Sequence, residues 1–261
     1  MKMALYQMEI IPGNPGANRE KVRRWAHDVM QKEQPELLVL PEMWTTAYTL
    51  ESLSDILTED GDQTEPFLQE LASSLHVPIV AGSIAVKEEE QIFNRAFVIN
   101  EQGQTVYHYD KIHLVPMLDE PNYLTGGRNP VKVFEVTGRK MGLVICYDLR
   151  FPELFRSLAL QGAEVIFVLA EWPMARIHHW EVLQQARAIE NQVFIVSCNC
   201  VNSYDGVEFA GTSLAINPWG EIVAKGSKAE EETITATLPL HETARIRKEV
   251  PVFSSRVPDL Y

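Results

Sequence analysis

Short apolar runs alternate along this chain with segments that carry a helical apolar stripe, and this alternation restricts the fold more than any other feature. Residues 37–40, 141–145 and 165–169 are of strand length, and each stops at a turn signal or a polar residue. Between such runs lie helical patterns. After Asn14 and Pro15, a cap and first-turn proline, the residues Val22, Trp25, Ala26, Val29 and Met30 recur at i, i+3, i+4, i+7 and i+8, leaving Arg19, Lys21, Arg23 and Asp28 to water. The same periodicity predicts helices over 65–75, from Pro152 to Gly162, over 176–190 and over 238–248. Further strands are expected at 3–10, 77–86, 93–100, 105–109, 131–136, 193–201, 210–217, 222–224 and 233–237, with a charged hairpin turn at 87–91. No linker or composition break divides the 261 residues. The expectation is one α/β domain over 1–261, with 249–261 an extended C-terminal tail.

Composition narrows the partners. A formal charge of −13 argues against nucleic acid or an anionic membrane surface, both of which need clustered Lys and Arg. The longest apolar run, 165–170, is far short of a membrane span, and the N-terminal apolar run is too short for a signal peptide. Cys146, Cys198 and Cys200 are an odd, sparse set that fits a reducing compartment, so a soluble cytoplasmic protein is expected. Cys198 and Cys200 alternate on a predicted strand without a second Cys/His pair at ligand spacing, which reads as packing rather than a metal site. The acidic residues Glu51, Asp55, Glu59, Asp60, Asp62 and Glu65 read as a solvated surface.

The stretch GLVICYDLRFPEL places Cys146 where an apolar strand ends and a proline-started helix begins. A thiol on such a turn is positioned as a nucleophile, but it needs a base and a cation, because little of it is thiolate at neutral pH. LLVLPEMW puts Glu42 just past another strand end, and YHYDKIHL puts Lys111 past a third. Between Asp110 and Asn129 runs a Pro-, Gly- and Asn-rich loop, too long for a simple connector.

The motifs LPE (40–42), YDKIHL (109–114) and GLVICYDLRFPELFR (142–156), with DEPNYLTGG, HWEVLQQARAIENQVF and AGTSLAINPWGEIVA in this order, resemble the nitrilase superfamily of carbon-nitrogen hydrolases over almost the whole chain. The resemblance implies an α-β-β-α sandwich that assembles as a homodimer or larger homo-oligomer. It implies Glu42 as general base, Lys111 as cationic residue, Cys146 as nucleophile and Glu120 as a second carboxylate beside the lysine. The chemistry this implies is amide hydrolysis through a thioester on Cys146, with no metal or organic cofactor.

EMWTTAY, EWPMARIHHW, INPWGE and PVFSSRVPDLY are similar to the ω-amidase branch, whose substrates are the terminal amides of 2-oxoglutaramate and 2-oxosuccinamate. Glu171 and Trp44 depart from many relatives and are expected to reshape the pocket. For an anionic substrate, Arg176 is the preferred carboxylate partner. Arg150 is the alternative, with pairing to Asp148 or Glu153 as its structural reading. Tyr48, Trp172 and Tyr147 are candidates for the pocket wall. Three other readings stand beside this one: an N-carbamoyl amide hydrolase on the same fold, a Cys/His hydrolase using His113, His178 or His179, and a non-catalytic binding module. The last need not retain Glu42, Lys111, Glu120 and Cys146 together.

Overall fold

The first strand shows how the layers form. Met3 and Leu5 point into one core, while Ala4 and Tyr6 point into a second, as the period-2 alternation of a strand requires. A computed structural model describes residues 1–260. In chain order it contains β1 (Lys2–Gln7), α1 (Pro15–Lys32), β2 (Leu37–Val39), α2 (Leu53–Asp60), α3 (Thr64–Leu75), β3 (Ile79–Glu88), β4 (Gln91–Ile99), β5 (Thr105–Asp110) and α4 (Glu120–Tyr123). The second half contains β6 (Phe134–Val136), β7 (Arg139–Ile145), α5 (Pro152–Leu160), β8 (Val165–Ala170), α6 (Ile177–Asn191) and β9 (Phe194–Asn199). A small hairpin follows, β10 (Ser203–Tyr204) and β11 (Val207–Glu208), then β12 (Leu214–Ile216), β13 (Ile222–Lys225), β14 (Glu232–Thr237) and α7 (Glu242–Glu249).

Two six-stranded sheets result, ordered β14-β1-β2-β3-β4-β5 and β13-β12-β9-β8-β7-β6. The central strands β1-β2-β3 and β7-β8-β9 are parallel, and the outer pairs antiparallel. Helices α1 and α3 cover the first sheet through Val22, Trp25, Val29, Phe67, Leu68 and Leu71. Helices α5 and α6 cover the second, and α5 comes so close to β7 that a Cβ on Gly142 would lie 2.8 Å from a methyl of Leu158. Met3, Leu5, Leu37, Val39 and Val98 of the first sheet meet the second sheet in the central layer. The architecture is therefore an α-β-β-α sandwich, as expected.

Local differences have physical causes. Leu53, Ile56 and Leu57 form the short apolar stripe of α2, which the surrounding acidic residues obscured. Not all of those acids are solvated: Asp60 takes two 2.6 Å hydrogen bonds from Arg19 in a largely buried pair. The hairpin β10–β11 lacks any long apolar run, and α7 begins only at Glu242, whose N–H closes a turn onto Pro239 O. The C-terminal tail is not extended. Residues 252–255 turn back so that Phe253 sits under the guanidinium groups of Arg156 and Arg247, and Pro258–Leu260 is one 3-10 turn.

Candidate active site

The candidate groups gather at strand ends: Glu42 and Cys146 follow the parallel strands β2 and β7, the usual place for a site in an open parallel sheet, and Lys111 follows the antiparallel strand β5. Glu42 follows β2 through Pro41. Its loop is held by a bulge in β3: Ser83 N–H donates to Pro41 O (3.1 Å), Met43 N–H to Ser83 Oγ (3.1 Å) and Trp44 Nε1 to Ala81 O (2.9 Å). Gly82 makes that bulge possible, with φ +65° and no room for a Cβ, which would meet Pro41 O at 2.1 Å. Lys111 follows β5 and is tied by its N–H to Asn94 O (2.9 Å). Glu120 opens α4, and Cys146 starts a 3-10 turn directly after β7 with φ +46°, a left-handed conformation uncommon outside glycine.

Glu42, Lys111 and Glu120 are fully buried, and Cys146 nearly so. Lys111 Nζ donates all three of its protons: to Glu120 Oε1 (2.8 Å), to Glu42 Oε1 (3.0 Å) and to the Tyr48 hydroxyl (3.0 Å). Tyr48 in turn donates to Glu42 Oε1 at 2.7 Å, and Asn94 Nδ2 donates to the same oxygen at 2.8 Å. The other oxygens are held by backbone: Glu171 N–H to Glu42 Oε2 and Val115 N–H to Glu120 Oε2, both 2.8 Å. Although burial opposes the Lys111 charge, the two carboxylates override it and push its pKa far up, so the ammonium persists at any working pH. Burial raises the Cys146 thiol well above its ordinary value. The charge of Glu42 and a hydrogen bond to it add to that rise, and Lys111 only partly offsets it. These effects favour the neutral thiol, beside the Glu42 carboxylate.

Asp148, two residues after the cysteine, is fully buried and accepts four hydrogen bonds. Tyr109 OH (2.7 Å) and Ile145 N–H (3.1 Å) donate to Oδ2, while His113 N–H (3.1 Å) and His113 Nδ1 (2.8 Å) meet Oδ1. Tyr109 and His113 flank Lys111, and Ile145 precedes Cys146. One carboxylate therefore fastens the lysine segment of the first sheet to the cysteine turn of the second.

A cavity of about 510 Å³ opens at Cys146, walled by Tyr147, Arg150, Glu171, Trp172 and Arg176, with the hairpin residues Gly206–Glu208 at its rim. Two expectations change here. Tyr48 does not wall this cavity: its hydroxyl belongs to the Glu42–Lys111 network, and the residue lines a neighbouring hollow instead. Arg150 pairs with neither Asp148 nor Glu153; its guanidinium lies 4.9 Å over the Trp172 ring and 5.7 Å over the Tyr147 ring. Asp148 does not pair with it because Tyr109 and His113 occupy both oxygens. Sequence reasoning missed Asn94 and Asp148 as site groups. Asp148 stood in the YDLRF motif; nothing in the sequence marked Asn94, in mid-strand. His113 serves Asp148, and His178 and His179 lie exposed on α6, with His179 near Arg150. Cys198 and Cys200 are buried in different cores.

A four-layer sandwich with a buried thiol, a carboxylate and an ammonium at its strand ends defines a class of hydrolase for carbon-nitrogen bonds. Comparison with known proteins agrees: residues 2–248 match the carbon-nitrogen hydrolase family, and the chain belongs to it. It is 45% identical over 235 residues to the "Hydrolase in agr operon" of Staphylococcus lugdunensis, covering 89% of this chain and all of that one. It is 41% identical to the 2-oxoglutaramate amidase of Bacillus subtilis, across 98% of this chain and 97% of that one. The crystal structure of Saccharomyces cerevisiae Nit3, a member of the nitrilase superfamily, superposes with a TM-score of 0.90 at 27% identity, covering 98% and 96% of the two chains.

Proposed function

We propose that the protein is a cysteine-dependent amidohydrolase of ω-amidase type, which cleaves the terminal amide of a 2-oxo dicarboxylate monoamide such as 2-oxoglutaramate to the 2-oxo acid and ammonia. The observation that carries this reading is one cavity holding both the Cys146 thiol and two guanidinium groups. Arg150 is the better carboxylate partner. It is stacked against the Trp172 ring and pairs with no carboxylate among the described residues, whereas Arg176 is exposed at the start of α6. The 41% identity to a 2-oxoglutaramate amidase supports the same substrate.

In the first half-reaction Glu42 takes the thiol proton as Sγ attacks the amide carbon, and the C–O π electrons move onto oxygen. Protonation of Glu42 weakens its hold on Lys111, which frees one N–H to turn toward the new oxyanion beside the Tyr147 N–H. Collapse of this intermediate expels the amine, which takes the proton from Glu42 and leaves as ammonia. The thioester on Cys146 remains. Water, deprotonated by the same carboxylate, then attacks the thioester, and the proton returns to Sγ. Glu120 keeps Lys111 charged throughout, since the ammonium retains one carboxylate when Glu42 is neutral.

The test is ammonia and 2-oxo acid release from 2-oxoglutaramate, beside N-carbamoyl compounds and simple amides, for the parent and Cys146→Ala. Turnover of the oxo-amide that vanishes in the variant is the expected result. Turnover of carbamoyl compounds alone would retain the catalytic groups and discard the substrate, and no turnover of any would leave a binding module. Arg150→Met should raise KM for the anionic amide by about tenfold or more while sparing a neutral one.

A further inference from the structure

Besides Asp148, the buried site contains three carboxyl groups and one ammonium. Lys111 bonds Glu42 and Glu120, but among the described residues neither it nor any other group bonds the side chain of the third, Glu171. Glu171 is 1% exposed, and both of its carboxyl oxygens lack a hydrogen-bond partner. A buried carboxylate in that position would be an uncompensated charge, which proteins avoid by protonation. Burial foremost, and then the field of Glu42, push its pKa well above the usual carboxylate range. Burial without a partner thus favours the neutral carboxylic acid, which has one proton to donate and no acceptor for it among the described residues.

Its backbone is not free to move away. Glu171 N–H is held by Glu42 Oε2 (2.8 Å) and the next N–H, of Trp172, by Asn199 Oδ1 (2.7 Å), so the side chain is anchored between the base and the Trp172 wall. The residue lines the same cavity as Cys146, Arg150 and Arg176. An unpaired buried donor is costly, and it persists where a ligand supplies the missing acceptor.

We propose that Glu171 is a specificity-determining residue, whose carboxyl proton is donated to the 2-oxo oxygen of the bound substrate. This rests on the ω-amidase reading above. The arginine in the cavity holds the carboxylate, the thiol faces the amide, and the remaining polar atom of such a substrate is the carbonyl oxygen beside the carboxylate. That oxygen accepts hydrogen bonds and offers none, so it matches a neutral acid and would be repelled by an ionised one.

The experiment compares 2-oxoglutaramate with glutaramate, which lacks only the oxo group, for the wild type, Glu171→Gln and Glu171→Met. Gln keeps an N–H donor. Met keeps the volume and removes the polar atoms, so its Tm should equal or exceed that of the wild type. The expected result is that Glu171→Met loses about tenfold or more in kcat/KM on 2-oxoglutaramate while glutaramate changes less than about threefold, and that Glu171→Gln retains the preference for the oxo-amide. A Met variant that keeps the preference overturns the proposal alone, as does a Gln variant that loses it as completely as Met does. A wild type that turns over both equally overturns this proposal alone, and one that turns over neither overturns the substrate reading and this proposal with it.

Discussion

Asp148 joins the two sheets at the site, and Asp148→Asn tests how much depends on it. The carboxylate accepts two hydrogen bonds on each oxygen. An asparagine keeps one acceptor oxygen and turns an NH₂ toward the other two donors. If the NH₂ faces Tyr109, the hydroxyl can rotate to accept, but Ile145 N–H is orphaned. If it faces His113, the ring can change tautomer, but His113 N–H is orphaned. Either way one buried backbone donor is lost, together with the charge assistance of the remaining bonds, for a cost of about 2–4 kcal/mol. At this chain length that lowers Tm by roughly 5–10 °C. Catalysis should suffer separately, because a shift of about 1 Å between Lys111 and Cys146 costs on the order of 100-fold in kcat. Urea unfolding and steady-state kinetics at a temperature where the variant is fully folded measure the two effects. Asp148→Ala, which orphans all four donors, should be worse on both counts. A folded Asp148→Asn enzyme with wild-type kcat would refute the assignment of Asp148 as the joint between the two catalytic segments.

Three further outcomes follow from the same geometry. Tyr48→Phe deprives Lys111 of one acceptor and Glu42 of one donor in a buried network, so it should cost about 1–3 kcal/mol by denaturant unfolding and lower kcat with little change in KM. Gly82→Ala forces a Cβ against Pro41 O in a left-handed bulge; a loss of about 2–6 kcal/mol is expected, with activity falling too because Glu42 is displaced. Because burial and Glu42 both raise the Cys146 thiol, its alkylation by iodoacetamide should keep accelerating as pH rises through neutrality, and Glu42→Gln, which removes one of those causes, should bring the thiol pKa down and speed alkylation at a given pH. A rate plateau for the wild type near pH 7 would show a preformed thiolate and contradict the neutral-thiol reading.

The sequence by itself determined the fold class, and the family resemblance it carries implied the layers and the candidate site residues. Short unbroken apolar runs alternating with helical stripes sufficed for one α/β domain, since strand and helix periods follow from covalent geometry and the burial of apolar surface; the α-β-β-α layering was what the resemblance implied. Glu42, Lys111 and Cys146 were legible because each stands just past a strand end within a motif that resembles the family's. Tertiary structure decided the partnerships. Whether Arg150 pairs with Asp148 or opens onto the cavity depends on Tyr109 and His113, which reach Asp148 from the other sheet across more than thirty residues of chain. Tyr48 looked like a pocket wall and is a bridge between base and lysine, because its hydroxyl falls within hydrogen-bond reach of both. Glu171 stood out in sequence as a departure expected to shape the pocket, but nothing there fixed its protonation or its partners. Only the closure of the two sheets around it removes its water and its counter-charge, and so leaves it a neutral acid beside the thiol.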